Sequence, residues 1–165
     1  MNLTRTAVGL LRLFLVLLLV MTVVGQTLSW PGQFAHMASE EPLLAHLRWP
    51  LTATAILVLV GVQVVIISVW RLLGMVAADR IFSTEALRWV DGIVWALAGA
   101  WFVFAAGELA LGVTLYVTPE LRDPGLPMVL GGLLLAGGVV VLLMVVMRAL
   151  LRQAVALRTD MDQVI

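Results

Sequence analysis

The chain has 165 residues, 62% of them apolar and 12% charged, with a mean hydropathy of +1.10. Soluble domains average about 45–50% apolar and about 25% charged, so a bilayer and not water must surround most of this chain. Zero net charge excludes nucleic-acid binding through bulk charge, and the lack of Cys excludes disulfides, thiol redox chemistry and thiolate metal sites.

Four segments are apolar enough to cross a hydrocarbon core of about 30 Å: residues 8–28, 51–70, 92–117 and 126–147. In the first, Arg5 and Arg12 precede an apolar stretch that ends near Val23-Val24-Gly25, as in a secretory leader. Its apolar run is too long for a leader's core, so it is read as a retained span. Trp30-Pro31 and Trp49-Pro50 bracket an outer loop over 29–50, and Pro119, Pro124 and Pro127 punctuate the third connection.

The second connection, 71–91, reads "RLLGMVAADRIFSTEALRWVD". The second helix is expected to run on to about Ala78. Ser83 is a good N-cap, Glu85 complements the dipole of the first turn, and Phe82 and Leu87 stand at staple positions. A helix is therefore expected from Thr84, with Glu85, Arg88 and Asp91 pairing at i+3. In the tail, 148–165, an apolar stripe of Leu150, Leu151, Ala154, Leu157 and Met161 carries the fourth helix to about Arg158, with Arg148 and Arg152 largely off it. The expected fold is all-α: one membrane domain, 1–165, a four-transmembrane-helix bundle whose second to fourth helices extend into the cytoplasm.

All ten basic residues are Arg, which together with much Ala, Val, Leu and Gly points to a GC-rich bacterial genome. Eight of the ten lie at the N-terminus, in the second connection or in the tail, against Arg48 and Arg122 in the other two connections. Such a bias places both termini in the cytoplasm of an inner-membrane protein. Trp30 and Trp49 then fall at the outer interface, Trp70 and Trp89 at the inner one. Gly132 with Ala136, Ala96 with Ala100, and Ala106 with Ala110 have the small-xxx-small spacing that lets helices approach closely, within a monomer or across a homodimer.

Glu108 is the one carboxylate inside a span, and an ionised carboxylate there costs several kcal/mol. Thr22, Gln26 and Gln63 are within plausible reach and would complete a hydrogen-bonded cluster. Two roles stand open for Glu108: a neutral hydrogen-bond donor that fixes helix register, or a site for a proton or cation. His36 and His46 fall in the outer loop and, with Glu40, match no familiar metal spacing. A haem would want His on the spans, and no phosphate loop, dinucleotide fingerprint or nucleophile elbow is present. Neither a cofactor nor a metal site is expected.

The stretches "DRIFSTEALRWVDGI" and "LLRQAVALRTDMDQVI" resemble a family of small bacterial four-helix membrane proteins defined as a domain of unknown function. Ile81-Phe82-Ser83 and Asp162-Gln163-Val164 occupy its motif positions; Asp79-Arg80 stands where many relatives have Gly. The resemblance implies a membrane location and frequent genetic neighbourhood with a small helix-turn-helix regulator, and supplies no catalytic residue. Three functions follow as expectations. The first is a regulatory or interaction protein that docks a soluble partner on Phe82, Ser83, Glu85, Arg88, Arg148, Arg152 and Arg158. The second is a small proton- or cation-coupled transporter or channel using Glu108. The third, an enzyme acting on lipid, is disfavoured because no pair of titratable groups converges at either interface.

Overall fold

In a computed structural model, residues 2–78, 83–121 and 125–162 are described, those of 2–5 and 158–162 by backbone alone. Five α-helices follow in order: α1 (Asn2–Val24), α2 (Trp30–Glu40), α3 (Arg48–Ala77), α4 (Thr84–Val117) and α5 (Gly125–Asp162). No strand occurs among the described residues. A π-turn over Gly25–Ser29 joins α1 to α2, and a 3-10 turn over Pro42–Leu47 leads into α3. The continuous rods Thr6–Glu40, Pro42–Ala77, Thr84–Val117 and Gly125–Leu157 are each long and apolar enough to cross a membrane.

The connection at 29–50 corrects the expectation of a loop: it is almost wholly helical. Pro31 is the second residue of α2 and Pro50 the third of α3. Proline is tolerated in a first turn, where its missing N–H would have no partner. In the middle of a rod it also removes an i→i−4 bond. The π-turn absorbs that loss, with the Trp30 N–H reaching back five residues to the Gly25 carbonyl.

Ser83 caps α4 as expected. Its backbone is extended, and its hydroxyl accepts the Ala86 N–H at 3.2 Å. The second helix ends at Ala77, and the fourth runs 38 residues, about 57 Å at 1.5 Å per residue. That exceeds a bilayer core of about 30 Å by several turns.

The four rods pack in a row. α1 lies on α3, α3 on α4, and α4 on α5. Among the described residues no Cα of α1 comes within 8 Å of α4 or α5. Small residues make the tightest contacts, since lipid supplies no hydrophobic drive between helices. A Cβ at Gly61 of α3 would fall 2.8 Å from the Ala100 Cβ, which assigns Ala96 and Ala100 to packing within the monomer. Gly132, by contrast, faces open space, and Ala106, Ala110 and Ala136 are exposed.

At the end of the row opposite the chain termini, Leu44, Leu47 and Leu51 form a small apolar cluster with Phe34, Met37, Leu111 and Leu121. At the terminal, arginine-rich end, Ala86, Val90, Ile93 and Val94 of α4 are buried. Most remaining large apolar side chains face outward, Phe14, Met21 and Leu135 among them, as a lipid solvent requires.

Candidate functional site

Polar groups inside the row fall into two sets that the sequence had merged. Gln63 of α3 donates to Gln26 Oε1 at 2.9 Å and lies 3.5 Å from the Thr22 hydroxyl. Gln26 belongs to the π-turn, so the widened turn that accommodates Pro31 also presents this amide to α3. The Thr22 hydroxyl donates to the Leu19 carbonyl at 2.8 Å. Three of the four expected members therefore meet.

Glu108 does not join them. It sits on the far face of α4, with Oε1 3.7 Å from where a Cβ on Gly131 of α5 would lie, and its buried Oε2 has no hydrogen-bond partner. The reason is register and topology. Thr54, not Gln63, stands beside Gly107, and α3 separates α4 from α1. A second close contact runs along the same seam. Trp101 Nε1 donates to the Leu134 carbonyl at 2.8 Å, and the ring lies in a notch left by Gly137 and Gly138.

Towards the arginine-rich end, that seam closes with charge. The Arg148 guanidinium donates through Nε to Asp91 Oδ1, and Arg152 Nη2 lies 3.1 Å from Oδ2. Asp91 stands just before the apolar run at 92–117, and the Arg148 hydrogen bond holds its carboxyl below the ordinary carboxylate range. Asp91 is thus engaged across helices, where the i+3 pattern had pointed to Arg88. In the tail stripe Leu151 and Ala154 are half-buried as expected, and its other described members need the same correction. Val155 is the buried residue, Leu150 and Leu157 are exposed, and Arg148 lies on the packed face. Positions 131, 134, 138, 148 and 155 recur at helical spacing along that face, which the outward Leu residues disguise in sequence.

Of the residues expected to dock a partner, Glu85 and Arg88 are exposed on α4, Arg148 and Arg152 engage Asp91, and Ser83 serves as a cap. Phe82 and the Arg158 side chain lie outside the described residues, as do Ile81, Gln163 and Val164 of the two motifs.

Four residues were missed. Arg12 and Arg71 stack their guanidiniums on Trp70 and Trp89, each 5.6 Å from the ring centroid, around one cavity at the arginine-rich end. Arg12 gave a signal: it stands inside the first apolar run, four residues past Val8.

An all-α integral membrane protein of four spans, with no group of three His, Asp or Glu placed to hold a metal among the described residues, is the class these features define. Residues 32–165 match the family described as Protein of unknown function (DUF2975), and the chain belongs to it. No curated protein and no solved structure matches the chain.

Proposed function

We propose that this is a regulatory or interaction protein of a bacterial inner membrane, with both termini in the cytoplasm, and that it presents the ends of α4 and α5 to a soluble protein. One observation carries the reading: Asp91 ties Arg148 and Arg152 of α5 to α4. The tie joins two extensions into one platform beside the exposed Glu85 and Arg88. The small helix-turn-helix regulator implied by the family resemblance is the first partner to test. No catalytic role is assigned, since the one carboxylate shown paired at this end, Asp91, is held by Arg148 and Arg152.

A photo-crosslinking residue at position 88 in intact membranes tests the platform. One soluble protein should appear in the adduct, and it should be lost when residues after Arg148 are deleted. Adducts to lipid alone would contradict the reading.

A second reading has its own observation, the unpartnered Oε2 of Glu108. A buried acceptor without a donor is a candidate site for a proton or a small cation. Glu108→Gln keeps the shape and removes the charge. Loss of a growth or resistance phenotype at unchanged protein level would favour transport through this site.

A further inference from the structure

The cavity at the arginine-rich end has a volume of about 510 Å3 and is walled by residues of α1, α3 and α4. It is lined by Arg12, Trp70, Arg71, Gly74, Glu85 and Trp89, among others. Among the described lining residues, two guanidiniums and one carboxylate leave a net charge of +1, which suits a monoanion. Arg12 Nε is buried and has no hydrogen-bond partner, and a buried donor left unpaired calls for an acceptor. Each guanidinium rests over a Trp ring, a contact that does not use its in-plane N–H donors.

A second, smaller cavity of about 280 Å3 adjoins the first, sharing Trp70 and Arg71 with it. Its other walls are Leu15, Val16, Leu19, Ile66 and Ile67. From Arg12 to Leu19 is seven residues, about 10 Å along α1. The pair is a charged head pocket followed by an apolar trough that leads into the span.

We infer that the groove between α1 and α3 is a binding site for one anionic phospholipid, with its phosphodiester between Arg12 and Arg71 and the start of an acyl chain against Leu19 and Ile66. Nonspecific contact of surface arginines with lipid would need neither the trough nor a buried donor. The site shares Glu85 with the partner platform, but its test reads lipid retention alone, so it stands or falls separately.

Native mass spectrometry of the detergent-purified full chain tests this with four probes: dioleoylphosphatidylglycerol, dioleoylphosphatidylcholine, glycerol 1-phosphate and inorganic phosphate. One phosphatidylglycerol should remain per chain, at least tenfold above phosphatidylcholine, whose added cation opposes the net charge of the pocket. The two tailless phosphates should not be retained. Arg71→Gln should reduce retention at least tenfold. Leu19→Trp, which fills the trough and touches no charge, should do the same in a chain with wild-type helical circular dichroism. Equal retention of the two lipids, retention of a tailless phosphate at the level of phosphatidylglycerol, or undiminished retention by Leu19→Trp would each overturn the inference. Should Arg71→Gln misfold, the trough variant and the probe series decide.

Discussion

Gly107 of α4 stands so close to Thr54 of α3 that a methyl group in its place would fall 2.6 Å from the Thr54 Cγ2 and 2.9 Å from its Oγ1. Glu108 is the next residue, a turn of about 100° further round the helix. The contact that pins Gly107 to α3 therefore rotates Glu108 onto α5. Gly107→Ala must push the helices apart and should cost about 1–3 kcal/mol. Thr54→Ala in the same chain should recover most of that loss. Denaturation midpoints in detergent micelles check the pair, and an unshifted midpoint for Gly107→Ala would contradict this packing.

Trp101 should matter through two separable effects. Trp101→Phe removes the bond to the Leu134 carbonyl and should cost about 1 kcal/mol. Gly137→Leu fills the notch in which the ring rests, where even a Cβ would come within 3.1 Å of Trp101 Cδ1, and should cost more. The same midpoints read both, and equal effects would argue against the notch.

Gln63 and Gln26 share one hydrogen bond between α3 and the π-turn. Gln63→Leu should cost about 0.6–2 kcal/mol, the range found for polar contacts between membrane helices. Gln26→Leu added to it should cost little more, because the bond is already gone. Additive losses in that double-mutant cycle would mean that each side chain acts alone.

Asp91 gives a pH dependence with a definite sign. Its carboxyl is held below the ordinary value of 3.8, so the pairing with Arg148 and Arg152 is complete above that value and is lost as pH falls below it. At this exposure each ion pair contributes less than about 1 kcal/mol, so the effect is local. Hydrogen exchange at the ends of α4 and α5 should be faster in Asp91→Asn than in wild type at neutral pH. The difference should vanish as pH falls well below 3.8. A difference that persisted in acid would assign it to something other than the carboxylate.

What the sequence disclosed was whatever depends on near neighbours. The four apolar runs, the Ser83 cap, the end of α3 at Ala77 and the overrun of α5 are local facts, set by hydropathy, capping and the absence of breakers. Pro31 and Pro50 misled because proline opens a helix as readily as it ends one, and only the π-turn at Gly25–Ser29 shows which. The partner of Glu108 was out of reach for a different reason. Thr22, Gln26 and Gln63 share its depth class in sequence, but α3 stands between α1 and α4, and pairwise depth carries no information on that order. Arg12 was counted for orientation alone, although an arginine inside an apolar run asks for a ligand or a partner.

Which end of the row faces the cell interior decides whether α4 and α5 can meet a soluble partner, and the absence of native Cys makes a direct measurement simple. Ser39→Cys in α2 and Gln153→Cys in α5, both at exposed positions, would each be treated in intact cells with a membrane-impermeant maleimide. The proposed orientation requires position 39 to react in intact cells once the outer envelope is opened to the reagent, and position 153 only after the inner membrane is permeabilised. Labelling at 153 before permeabilisation, with 39 protected, would contradict it.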